Sequence, residues 1–418
     1  MALFQAHRRA RMGGRDPHEA HRAATPLELF FDLVFVVAFG TAANELAHYL
    51  AEGHIASGLL GFAFATFAVA WAWINFTWFA SAFDTDDWIF RLTTMVQMLG
   101  VLILALGLPP MFASIDEGEF VDNGVMVAGY VVMRGAMVFQ WLRAARQDPV
   151  RRRACLTYAT AISIAQVGWI ALLIARTSIL VTFLWAAALV LAELAGPVLA
   201  ETRKGGTPWH AHHIAERHGL LVIVTLGEGL LGTTIALSAI VGPEGPGWSA
   251  DVVVLGLAGT ALAFGMWWIY FILPCGELLH RFRSRSFGWG YGHIVVFGAA
   301  VAVGAGMHAA AYHLEHHSVL DVAGTVLTVA LPVAVYVLSI YVLFTQLTRV
   351  FDPFHLLLLA GSAVLVVASV VLAVAGAPMV WCLAVLALTP WVTVVGYETV
   401  GHRHGDRLLL GDGRTSTG

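Results

Sequence analysis

The sequence predicts an all-α polytopic membrane protein of about twelve transmembrane helices, arranged as two parallel six-helix repeats. Three observations predict it. Hydrophobic residues make up 59% of the chain and charged residues 12%, with a mean hydropathy of +0.77; a soluble domain carries about 25% charged residues. Apolar stretches of span length follow one another from residue 25 to residue 397. At roughly 20 residues per span plus short loops, 418 residues hold about twelve. Lys and Arg fall almost wholly on alternate loops.

Residues 1–24 are polar, Arg-rich and without an apolar h-region, so they read as a disordered cytoplasmic tail and not a cleaved leader. The first span opens at Thr25-Pro26, where Pro loses nothing by lacking an N–H, and runs to about Leu50. The second covers about Ile55 to Phe83 and contains W-A-W-I-N-F-T-W, read as packing and interface anchors. The third, from Trp88, stops at Pro109-Pro110. The fourth runs from about Asn123 to Arg146, the fifth from Ala154 to Ala175, and the sixth from Ile179 to Ala200, interrupted by Pro197. These make a first repeat over residues 25–200. A linker at 201–211 divides the halves, and a second repeat occupies 212–400. Its spans begin near His212, Val252, Gly290, Leu320, Pro353 and Pro378. Residues 401–418 read as a second cytoplasmic tail.

The positive charges set the orientation. With the N-terminus cytoplasmic, all but three of the 23 Lys and Arg lie on cytoplasmic segments. Arg176 alone sits in an outer loop, and Arg134 and Arg217 lie within spans. A missed or extra helix would invert this bias downstream, so the rule supports the even count as well as the direction. The halves also echo one another. Glu28 can be set on Glu216, Trp73-Ile on Trp268-Ile, Tyr130-Val on Tyr336-Val, and Asp148-Pro149 on Asp352-Pro353. Six helices per half keep both halves in one orientation, and duplicated membrane folds bind ions or substrates at the repeat interface.

Polar residues inside the spans are the candidate site. Glu28 and Asp32 are four residues apart on one face of the first span. His213, Glu216, Arg217 and Glu228 lie on the seventh, the last within G227-E-G. Arg217 and Glu228 are about 16 Å apart along the axis, so each needs another partner, from Arg134, Glu193, Asp32 or His293. Intramembrane charges mark function or lock helices together. Asp32 and Glu228 lie deeper than Glu28, whose place in the first turn also suits the helix dipole. The spacing H210-x-H-H-x-x-E is no standard zinc motif, and His308, His313, His316 and His317 read as a wet loop. Cys155, Cys275 and Cys382 read as buried small hydrophobes, not a framework. The metal expectation is none, and no motif specifies a cofactor. No basic domain points to nucleic acid, which leaves the lipid bilayer, a small ion or solute, and a possible homo-oligomer as partners.

At P26-L-E-L-F-F-D-L-V-F, H213-I-A-E-R-H-G-L and G227-E-G, the chain resembles the bacterial low temperature requirement A (LtrA) family. The likeness covers about residues 25–400 and implies a multi-pass protein of the bacterial plasma membrane. More distantly the chain is similar to lysosomal and bacterial potassium channels built from six-helix repeats. Phe31-Asp32 stands where those carry F-S-D, without the Ser or the preceding Arg. The expected function is an ion or small-solute transporter or channel with a polar site between the first and seventh helices. The alternatives are a membrane-embedded enzyme using the carboxylate and His set, with or without a metal, and a structural protein for growth in the cold.

Overall fold

A computed structural model of the protein describes residues 9–19, 22–241 and 247–401. It is all-helical, and the described residues hold 12 helices long and apolar enough to cross a membrane. In order they are α1 (Pro26–Ala51), α2 (Ile55–Phe83), α3 with α4 (Trp88–Leu106, Leu108–Glu117), α5 (Gly124–Gln147), α6 (Arg152–Ala175) and α7 (Ile179–Arg203). Then come α8 (Ala211–Val241), α9 with α10 (Ala250–Phe271, Cys275–Arg281), α11 (Ser286–Leu314), α12 (Val322–Thr348) and α13 (Pro353–Val374). Two short helices, α14 (Met379–Ala387) and α15 (Thr389–Gly396), complete the last span with a π turn. Exposed Leu106, Ile174, Val364 and Val374 show the apolar outer surface that a bilayer requires. The tail at 401–418 lies outside the described residues except for Gly401.

Prolines modify two expectations. The third span does not end at Pro109-Pro110. It breaks for one residue at Gly107 and resumes as α4 with both prolines in its first turn, where no intrahelical N–H is needed. Pro197 lies inside a continuous α7. Pro390 starts α15 in the same way.

The chain divides into two compact units. The first is drawn from Met1–Glu45 and Ile55–Leu220, the second from Leu46–His54 and Leu221–Gly418. In the first, α5 packs between α3 and α6, and α6 against α7. The α3–α5 contact is backbone to backbone: a Cβ on Gly129 would lie 2.4 Å from the Leu104 nitrogen. In the second, α12 packs between α11 and α13, and α14 and α15 rest on α9 and α13. There a Cβ on Gly304 would meet the backbone of Glu228 at 2.6 Å.

Residues 9–19, expected to be a disordered tail, are bonded to helix ends of the first unit. Ala10 N–H donates to Asp87, Met12 N–H to Gln147 and Arg15 N–H to the Ala82 carbonyl. Met12 is fully buried. The acid N-cap of α3, Asp87, also takes the Arg143 guanidinium. Polar composition misleads here because the segment is held by hydrogen bonds to backbone and polar side chains at helix ends, with Met12 as its buried apolar anchor.

Candidate functional site

The first turn of α1 builds one corner of the site. Thr25 and Glu28 form a reciprocal capping box: Thr25 N–H donates to Glu28 Oε2 at 2.8 Å, and Glu28 N–H to Thr25 Oγ1 at 3.3 Å. The same carboxylate faces His213 of α8, with Nε2 3.1 Å from Oε1. One turn further, Asp32 Oδ1 accepts from Arg217 Nη2 at 2.7 Å and from the Trp73 indole at 2.6 Å. Phe31 stacks on Phe76 at 3.8 Å between ring centroids and shields the pair. Glu28, His213 and Arg217 are 0% exposed and Asp32 2%, so Coulomb attraction here is little screened. Yet the hydrogen bonding is incomplete. Asp32 Oδ2, Arg217 Nε and Nη1, and His213 Nδ1 are buried without a hydrogen-bond partner among the described residues.

Outside α1, the loop before α3 and the N-terminal segment add a third pair. Arg22 is buried, donates to the Ala80 carbonyl at 3.1 Å and lies 3.8 Å from Asp84. Burial pushes Asp84 up to about 6, with the negative charge of Glu28 adding to the effect. Burial likewise lowers the Arg22 guanidinium, against the pull of Glu28 and Asp84. Glu216 is exposed and accepts from Ala24 N–H at 3.3 Å, so its setting differs from that of Glu28, with which the repeat alignment matches it. His210 Nε2 meets the Glu19 carbonyl oxygen at 2.8 Å, and burial lowers its basicity.

The second cluster in the first unit is closed. Arg134 Nη2 donates to Glu193 Oε2 at 2.6 Å and to the Tyr130 hydroxyl at 3.0 Å. Glu193 Oε1 accepts from Trp169 at 2.9 Å, and Oε2 also takes the Trp71 indole. Four helices, α2, α5, α6 and α7, meet on one carboxylate with both oxygens bonded.

Glu228 and His293 belong to the second unit. Glu228 is 3% exposed, and its carboxyl makes no hydrogen bond or ion pair among the described residues. His293 is closed: Nδ1 meets the Trp289 carbonyl oxygen at 2.8 Å and Nε2 the Tyr270 hydroxyl at 2.9 Å. His308 is buried in α11 and not in a wet loop, because the helix runs on to Leu314. Among the described residues no three His, Cys, Asp or Glu side chains converge to hold a metal ion.

Both charged clusters lie inside a stretch that a family model also recognises. The model for the bacterial low temperature requirement A protein (LtrA) matches residues 23–390. The chain belongs to the LtrA family. A similar chain is an uncharacterized protein of Rhizobium meliloti (strain 1021), 29% identical over 251 residues. That alignment takes in 58% of this chain and 57% of the other, little more than half of each. No solved structure matches.

Sequence reasoning missed three parts of this LtrA site. Trp71 and Trp73, read as anchors, are buried N–H donors to Glu193 and Asp32. The signal was there: a buried indole needs an acceptor, and W-A-W two residues apart aims two donors at different faces. T25-P-L-E28 is a capping box legible from spacing alone. Arg22, one residue before the matched region, had no local signal, since its partner Asp84 is fixed only by the fold.

Proposed function

We propose that this LtrA protein moves an ion or small solute across the bacterial plasma membrane, with Glu28, Asp32, His213 and Arg217 as the site that binds it. One contrast carries the reading. Glu193 has both oxygens bonded, to Arg134, Trp71 and Trp169, as the acid of a structural ion pair should. Asp32 and Arg217 are equally buried but leave bonding capacity unmet. An unpaired buried polar group costs about 1–3 kcal/mol, which a purely structural pair has no reason to retain. With His213 neutral, Glu28, Asp32 and Arg217 sum to one net negative charge, so the site favours a proton or cation over an anion. A cation on Asp32 weakens its hold on Arg217, and a pair that opens and closes with occupancy is what coupling requires. The Lys and Arg distribution supports cytoplasmic termini, and the two-repeat arrangement remains part of the proposal through the sequence echoes alone.

Reconstituted liposomes test it. Proton, Na⁺ and K⁺ gradients are applied and interior pH and ion content followed. Asp32→Asn should stay folded and lose flux, whereas Glu193→Gln should lose stability first. Asp32→Asn liposomes that carry every ion as fast as the parent would sink the site.

A further inference from the structure

A polar chain beside a helix end ordinarily stays in water, yet the segment before α1 is docked. It lies at the N-terminal end of α1, the face that the Lys and Arg distribution assigns to the cytoplasm. The last carbonyls of a helix have no partner within it, and the segment bonds to groups of that kind. Arg15 N–H donates to the Ala82 carbonyl near the end of α2, and Arg11 Nε to the Gln147 carbonyl at the end of α5. Met12 N–H and Gly14 N–H donate to the side chains of Gln147 and Asp148. Water can replace the segment at each of these acceptors, so it can leave without breaking a helix. The two side chains it buries are Met12, 0% exposed, and Arg22, 6% exposed.

Arg22 is the most loosely held of the buried arginines. Arg134 and Glu193 bond at 2.6 Å, Arg217 and Asp32 at 2.7 Å, and Arg143 contacts Asp87 directly. Arg22 stands 3.8 Å from Asp84, beyond hydrogen-bond length. Its Nε is buried without a hydrogen-bond partner among the described residues. Its Nη2 donates to the Ala80 carbonyl, which Asp84 N–H also holds at 3.1 Å. Of the charges around Arg22, that of Glu28 pulls hardest, so this guanidinium stands in the field of the acid site. Two histidines join the segment to the same site. His213 N–H donates to His210 Nδ1 at 3.2 Å, which leaves the His210 proton on Nε2, the atom 2.8 Å from the Glu19 carbonyl oxygen. His213 in turn lies 3.1 Å from Glu28.

We propose that this segment is a lid over the α1 end of the acid site, with Arg22 as its plug, and that the site exchanges its ion with the cytoplasm when Arg22 withdraws. The exchange rests on the transport reading above; the lid does not. A cation drawn to the net negative site from that face meets a buried cation first, so the docked lid keeps the site shut.

The test reads access and flux separately. A water-soluble carbodiimide with an amine labels the carboxyls that water reaches, and mass spectrometry locates the label. Cysteines at Gly14 and Pro208 make a reversible latch, because a Cβ on Gly14 would lie 2.7 Å from the Pro208 Cγ. With Gly14→Cys and Pro208→Cys oxidised to a disulfide, labelling of Glu28 and Asp32 and flux in liposomes should both fall, and reduction should restore both. Arg22→Gln removes the charge of the plug and should raise both several-fold. A segment that only braces the fold would instead lower flux in Arg22→Gln and leave the latch without effect. Labelling of Glu28 that is the same with the latch oxidised or reduced overturns the lid, whether or not Arg22→Gln folds. Labelling that follows the latch while no ion moves in any form sustains the lid and sinks the transport reading.

Discussion

Asp84 is the residue whose ionisation should be visible in the stability of the protein. Its folded pKa is raised from 3.8 to about 6, by burial first and by Glu28 second. The folded state therefore holds this proton more tightly than the unfolded chain does. The stabilisation that results is complete below pH ~4 and is lost as pH rises through about 6, with an amplitude of at most about 3 kcal/mol. Asp84→Asn removes the titration. Thermal unfolding of the parent and the variant between pH 4 and pH 7 should show the parent losing ground to the variant as pH rises. Curves that stay parallel would mean Asp84 is solvated in the folded protein. The same residue shows the limit of reading a sequence one position at a time. D84-T-D-D reads as a polar loop, and only the fold shows Asp84 to be a buried group with Arg22 3.8 Å away.

At the scale of elements, α3 and α5 are held at a distance that only glycine permits. Gly129→Ala sets a Cβ 2.4 Å from backbone nitrogen, which cannot rotate away as a side chain can. The variant should lose roughly 1–3 kcal/mol of stability. Gly135 lies on the same helix with nothing within 4 Å of a Cβ, so Gly135→Ala should gain about 0.5–1 kcal/mol from helix propensity. Unfolding temperatures of the two variants should move in opposite directions. Equal shifts would show that the helices separate easily and that the contact is not what positions α5. The clamp of Arg134 and Glu193 hangs from this same helix, so its geometry depends on that close approach.

For the whole molecule, the orientation argued from Lys and Arg has a direct check. Topology reporters at Gly14, Gly118, Gly205 and Gly247 should read inside, outside, inside and outside. An inside signal at Gly118 or Gly247 would reverse the assignment. The twelve spans were legible because hydropathy and length are properties of each segment alone. Helix ends near proline were less so, since Pro109-Pro110 reads equally as a stop or as the start of the next turn. Within the site, the candidates Asp32, Arg217, Arg134 and Glu193 were legible as intramembrane charges in need of partners. Which acid meets which Arg was not, because pairing is set by helices far apart in sequence. The indole donors were hidden by their reputation as interface residues.

The bonded segment at residues 9–19 carries a consequence for how the protein is made. It leaves the ribosome before every helix it touches. Its partners are Ala82 and Asp87, then Gln147 and Asp148, and last His210, which holds the Glu19 carbonyl. The segment can dock on Ala82 and Asp87 once two spans are made, and on Gln147 and Asp148 after four. Its final hydrogen bond cannot form until the seventh begins to emerge. Bond formation therefore follows the order in which the partners are synthesised, and Glu19, at the end of the segment, is bound last.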